Sequence, residues 1–256
     1  MNKSGDVTIN IDSGVGKISF FHPRKNALSL KLLEQLSDCI DELGNNKEVR
    51  VLTVQSGGQG SFCAGASLEE IAEIKNEFDG REYFMGFARI LLSIKRCPKF
   101  VVTRVQGKVV GGGIGLIAAS DYVLALDVAS LKFPEFSLGF GPFVVGSAVQ
   151  RKIGLSAFAE ATIDTKWKGA HWAKSHGLYN QVYKSFEELD KAFDALAVQL
   201  TRRSSKATTE LKKILWQGME NWEELLIHGA KVSGKLILSN YSTARIKGFW
   251  KKVDTS

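Results

Sequence analysis

The chain has 256 residues, 44% of them hydrophobic and 24% charged, and carries 34 lysines and arginines against 27 acidic residues for a formal charge of +7. That length predicts one compact domain, with room for an appended helical part, and that composition is ordinary for a soluble globular protein. The longest apolar run, residues 109–119, is interrupted by glycines and too short to span a bilayer, so no membrane partner is expected.

The opening residues lack the apolar core of a signal peptide. Cys39, Cys63 and Cys97 are odd in number and widely spaced, which fits free thiols and a cytoplasmic location. His22, His171, His176 and His228 are scattered and form no metal-ligand pattern, so no metal is expected. The positive charge favours anionic partners. Its lysines are spread along helical faces, so a phosphate-bearing small ligand explains the charge at least as well as nucleic acid. A solvated basic surface explains it too.

Taken in order, residues 7–11 and 17–21 alternate apolar and polar around Asp12-Ser13-Gly14 and predict a hairpin. From Ser29, apolar residues at 30, 33, 36, 40 and 43 predict a helix capped by Ser29 and ended by Gly44. A strand is expected over 49–54, then a glycine-rich loop, SGGQGSFCAGA, over 56–66. Helices follow over 68–75 and 81–94. A buried strand over 100–105 feeds Gly111-Gly112-Gly113, and a short helix takes up Ile114 to Ala119. Strands are expected over 122–125 and 131–133. Beyond Gly141 the pattern turns helical, over 144–152, 157–162, 170–176, 186–201, 205–216 and 221–238, with one last strand over 181–183. Trp216 and Trp222 are candidates to dock these helices on the core or on another subunit. The alternation of strands and helices predicts an α/β core over 1–190 and a packed helical region over 191–256.

The chemistry centres on the glycines. Three of them at the mouth of a helix let a backbone approach a ligand closely, and free N–H groups with the helix dipole favour negative charge there. A tight structural turn is the plain alternative. The dinucleotide fingerprint fails, because Leu116 stands where its third glycine belongs. The P-loop fails for want of Lys and Ser/Thr after the last glycine. A second glycine turn, Ala64-Gly65-Ala66, also follows a strand pattern. Two N–H groups from the two loops can converge on one carbonyl oxygen, the arrangement of an oxyanion hole. Downstream, Glu135 is a lone carboxylate in an apolar setting, where burial would raise its pKa into the range useful for acid–base work. The alternative leaves it on a loop, facing solvent.

The segments FCAGASLEEI, VQGKVVGGGIGLIAASDYVLA and FPEFSLGFGP, in this order and spacing, resemble the crotonase superfamily of enoyl-CoA hydratases and isomerases. HPRKNALS, residues 22–29, resembles the family's motif on the CoA side, and the similarity covers nearly the whole chain. The resemblance implies a spiral of ββα units with a helical trimerisation region at the C-terminus. It implies that Ala66 and Gly112 donate the oxyanion-hole N–H groups to the thioester oxygen of an acyl-CoA. Ala64, Gly65, Ser67, Leu68 and Gly111 match positions that bind the substrate and its CoA, and Glu135 matches the catalytic glutamate. No separate cofactor is implied, since coenzyme A arrives as part of the substrate. The implied assembly is a homotrimer or homohexamer, with no nucleic acid.

Two departures stand out. The best-known hydratases carry a second glutamate two positions beyond the third glycine, where this chain has Gly115. Phe249-Trp250-Lys251-Lys252 matches only loosely the family's Phe and Lys near the CoA phosphates. GGGIGLIAASDY, FPEFSLGFGPFVV and KKILWQGMENWEELL together are similar to bacterial methylglutaconyl-CoA hydratases, which tolerate glycine at that position. Arg81, Lys132 and Lys75 are candidates for the extra carboxylate of such a substrate. Hydration of an α,β-unsaturated CoA thioester is therefore the expected activity. A Δ3,Δ2-enoyl-CoA isomerase and a glutaconyl-type decarboxylase are the alternatives, and RNA binding is a remote one resting on charge alone.

Overall fold

Alternating residues flank a turn that takes the left-handed backbone, with Ser13 at φ 50° and Gly14 at φ 82°. Strands β1 (Asp6–Asp12) and β2 (Val15–Phe21) consequently pair antiparallel across it. A computed structural model describes residues 5–254, with side chains described through residue 248. Helix α1 (Leu30–Asn45) starts where the Ser29 side chain accepts the Leu32 N–H, and it buries Leu33, Leu36, Ile40 and Leu43. The expected stop at Gly44 lies inside the last turn, and Asn46 caps the helix instead.

Strand β3 (Val51–Ser56) begins two residues later than its apolar pattern, because pairing with β2 starts at Val15 opposite Val51. With β4 (Val101–Val105), β6 (Tyr122–Leu126) and β8 (Gln181–Tyr183) it completes a six-stranded sheet in the order β1-β2-β3-β4-β6-β8. All pairings beyond the hairpin are parallel. Apolar on both sides, the central strands need cover on both. On one side α7 (Phe186–Thr201) packs Leu189, Phe193 and Ala197 onto Val51, Val102 and Leu124. The main core lies on the other, with α1 and α3 (Glu77–Arg96).

The expected strand into the triple glycine is two strands. Residues 106–108 carry the chain out of the main sheet. Then β5 (Val109–Val110) pairs parallel with β7 (Leu131–Lys132) in a second, small sheet. Single bridges extend this layer, Cys63 to Val109, Leu28 to Ala66 and Leu131 to Lys168. This layer positions both glycine turns. The loop after β3 leads to α2 (Leu68–Glu73), and the glycines lead to α4 (Gly112–Ala119).

Helix α5 (Gly146–Ile163) is broken by Gly154 at φ 77°, ψ 164°, which accounts for the two helices read from the sequence. After α6 (Ala170–Ser175) and β8, the chain continues through α7, α8 (Ser205–Leu215) and α9 (Trp222–Leu236). Helix α9 packs along α3, where the backbones of Gly80 and Gly234 nearly touch. Trp216 and Trp222 meet edge to face at 4.7 Å, with the Arg151 guanidinium 4.0 Å from the Trp216 ring and Lys95 against Trp222. The two indoles therefore dock the last helices onto α3 and α5 of their own chain. A tenth helix, α10 (Asn240–Asp254), which the sequence pattern did not predict, packs on α2 and on the 3-10 turn Glu135–Leu138. Among the described residues no helix is long and apolar enough to cross a membrane, and no group of side chains could hold a metal ion.

Candidate active site

The first glycine turn is held by one parallel bridge. Leu28 donates its N–H to the Gly65 carbonyl at 2.8 Å, and Ser67 donates its own to the Leu28 carbonyl at 3.1 Å. In such a bridge the residue between the two bonds points its own N–H away from the partner strand. That residue is Ala66. Gly65 sits at φ 86°, and a Cβ there would lie 2.9 Å from the Val110 carbonyl oxygen, so only glycine lets this loop press against β5.

The second turn starts where Gly111 donates its N–H to the Lys132 carbonyl at 3.0 Å. Gly111 takes φ 50°, ψ −116° and swings the chain into α4. Gly112 is the first residue of that helix, so its N–H has no intrahelical acceptor. Among the described residues neither the Ala66 nor the Gly112 N–H meets an acceptor. Both residues are half-buried, whereas Gly65, Gly111 and Gly113 are buried. Two unused donors thus stand on the accessible side of two adjoining turns.

Glu135 joins them. It opens the 3-10 turn Glu135–Leu138 and is only 8% exposed. A Cβ on Gly111 would lie 2.5 Å from its Oε1, so the carboxyl rests on the second glycine turn. Its Oε2 is buried without a partner. Burial pushes its pKa up to about 7, its own backbone N–H works the other way, and no cation offsets the burial. The solvent-facing alternative for Glu135 is thereby overturned. Its backbone is pinned as well, since Gly139 and Phe140 donate N–H groups to its carbonyl.

The other residues singled out from the sequence lie close in the chain but differ in role. Ala64 is half-buried and donates its N–H to the Lys25 carbonyl at 3.1 Å. The buried Ser67 uses its hydroxyl to cap α2 through the Glu70 N–H. Leu68 is the half-buried first residue of that helix. Arg81 is exposed beside Glu82, and Lys75 is exposed. Lys132 shares the Trp167 ring with Lys108, at 6.0 and 5.1 Å. The side chains of Phe249, Trp250, Lys251 and Lys252 lie outside the described residues.

At Gly115 a Cβ would overlap the Val145 side chain, so the place of a second glutamate is filled by an apolar neighbour. The pattern of motifs missed an aromatic wall. The Phe87 ring lies against Gly112, so closely that a Cβ there has no room. Phe84 contacts Phe87 and, at 5.9 Å between ring centres, Phe140. Tyr83 completes the wall edge-on. Its only sequence signal is aromatic residues at i, i+1 and i+4 of an amphipathic helix, which core packing explains equally well.

Residues 10–248 match the family model for enoyl-CoA hydratase/isomerase. A Bacillus subtilis protein named "Probable enoyl-CoA hydratase" is 26% identical over 248 residues, 96% of each chain. The mouse mitochondrial methylglutaconyl-CoA hydratase is 30% identical over 200 residues, which span 77% of this chain and 63% of the mouse protein. The crystal structure of enoyl-CoA hydratase from Bacillus halodurans superposes with a TM-score of 0.87 at 22% identity, over 94% of this chain and 99% of that one. The α/β fold with its helical C-terminal region, the two glycine turns and a match over nearly the full length together make this chain an enzyme of the enoyl-CoA hydratase/isomerase family, within the crotonase superfamily.

Proposed function

We propose that the chain hydrates an α,β-unsaturated CoA thioester through an oxyanion hole and one glutamate. The observation that carries this reading is a pair of unused N–H groups, on Ala66 and Gly112, beside the buried Glu135 carboxyl. The thioester oxygen accepts both N–H groups, which stabilise the enolate that forms when a nucleophile adds at the β-carbon. Ionised Glu135 takes a proton from water as the oxygen bonds to the β-carbon. It then gives that proton to the α-carbon, so one carboxyl serves both steps and ends as it began. A pKa of about 7 keeps both of its forms populated near neutrality.

The acyl group we assign is 3-methylglutaconyl or a similar enoyl chain, supported by the mouse relative. Ala64, Gly65, Ser67, Leu68 and Gly111 hold the substrate and its CoA, which makes a separate cofactor unnecessary. The working form is a cytoplasmic homotrimer or homohexamer, with the core over 1–190 and the helical region over 191–256. A second reading is Δ3,Δ2-enoyl-CoA isomerisation. The packing of Val145 against Gly115 favours it, because isomerisation moves one proton between two carbons and needs one carboxyl.

The test follows the ultraviolet absorbance of the conjugated thioester with a panel of enoyl-CoAs that includes 3-methylglutaconyl-CoA. Loss of absorbance with a hydroxyacyl-CoA product by mass supports hydration and ranks the acyl chains. A gain of conjugation from a 3-enoyl-CoA, with no hydration, moves the assignment to isomerase. Release of CO₂ from a glutaconyl thioester moves it to decarboxylase.

A further inference from the structure

We propose that Tyr83 and Phe87, one helical turn apart on α3, are positioning residues that set the spacing of the Ala66 and Gly112 N–H groups. This rests on the reading of those groups as an oxyanion hole. Tyr83 is 3% exposed, and a phenol that deep requires partners for its hydroxyl. It finds two. The hydroxyl donates to the Leu28 carbonyl at 2.8 Å and accepts the Ser67 N–H at 2.7 Å. Leu28 and Ser67 are two of the three residues, with Gly65, whose bonding turns the Ala66 N–H outward, so the hydroxyl closes that junction.

Four residues on, Phe87 acts on the other donor. Its ring is 5% exposed and lies against Gly112, whose Cα leaves no room for a Cβ. The two rings touch edge to face, with centres 6.1 Å apart and planes at 70°. Helix α3 itself is clamped between α1 and α9. One rigid helix therefore bears on both loops. That matters because donors must sit where the oxyanion will be, before it forms.

The test is Tyr83→Phe, which keeps the ring and removes the hydroxyl, leaving Ser67 bonded to Leu28. Two readouts are taken. With the substrate that the absorbance panel selects, kcat is expected to fall about tenfold while KM changes less than about threefold, because the donors matter most as charge develops. The infrared band of a ¹³C-labelled thioester carbonyl in bound butyryl-CoA is expected to return part of the way toward its position in water. The pH midpoint assigned to Glu135 should not move. Phe87→Leu, which opens space beside Gly112, is expected to shift the band in the same direction and serves if Tyr83→Phe fails to fold. Wild-type kcat and an unmoved band in a folded variant overturn the proposal. A wild-type protein that leaves the bound carbonyl band where water leaves it would instead refute the oxyanion reading itself.

Discussion

Glu135 is a carboxyl that the fold largely buries, and two predictions follow from that. Replacing it with glutamine preserves shape and removes the proposed proton carrier. Glu135→Gln is expected to lower turnover by about 10²-fold or more while calorimetry still detects CoA-ester binding, and retained turnover would remove Glu135 from the mechanism. The same variant changes stability with a definite sign. A buried acid whose pKa rises from 4.5 to about 7 holds its proton more tightly folded than unfolded. Its contribution is fully present below about pH 4.5 and is lost as pH rises through 7. Above pH 7 the native state therefore carries the cost of an ionised buried carboxylate, on the order of 3 kcal/mol. Glu135→Gln is expected to melt higher than wild type at pH 8 and level with it near pH 4.5, as thermal denaturation at the two pH values will show. Gly115 and Val145 give a steric counterpart. Gly115→Ala is expected to destabilise by about 1–3 kcal/mol through overpacking. Adding Val145→Ala should recover part of that, so the double variant falls short of the sum of the singles in denaturant unfolding.

At the scale of elements, the helical region is tied to the sheet by a buried ion pair. Lys212 of α8 reaches Asp121, at the entrance to β6, at 3.0 Å, with the two side chains 4% and 6% exposed. Lys212 also donates to the Lys99 carbonyl, and Asp121 accepts the Val101 N–H at 2.7 Å. Removing the cation leaves a buried carboxylate with one donor. Lys212→Met is expected to cost roughly 3–5 kcal/mol in urea unfolding. Lys212→Met with Asp121→Asn should cost clearly less, and equal losses would show that the pairing is not the source. The elements themselves were largely legible. Ser29 caps its helix as the sequence predicts, residues 181–183 and 186–201 form the strand and helix their patterns predict, and the structure adds Ser185 and Ser204 as side-chain caps. The missed helix α10 is polar in composition, and its start is capped by Ser239, whose hydroxyl accepts the Ser242 N–H at 3.2 Å. Tertiary packing holds it too: Ser242 and Ile246 are buried, and the helix packs on α2 and on the 3-10 turn that carries Glu135.

For the whole molecule, several large apolar side chains face solvent on a single chain. Leu155 and Ile163, two turns apart on α5, are 67% and 69% exposed, and Phe136 beside Glu135 is 62% exposed. Such exposure supports the proposed assembly. Sedimentation equilibrium is expected to give three or six times the mass of one chain, and the mass of a single chain would contradict it. The net charge of +7 suits a ligand bearing phosphates.

The sequence by itself determined the α/β class, the order of most elements and the family, and it singled out the two glycine turns and Glu135 as the candidate site. The class and the elements follow from local periodicity and capping chemistry, and the family from the resemblance of three motifs in their order and spacing. Only the tertiary structure decided that β4 and β5 belong to different sheets, because pairing partners distant in the chain set strand boundaries. It alone decided that Glu135 is buried against Gly111, that Val145 fills the space at Gly115, and that Tyr83 and Phe87 bear on the two donor loops. Each of these is a contact between residues at least eight apart in the chain, and burial is a property of such contacts, so no single stretch of sequence encodes it.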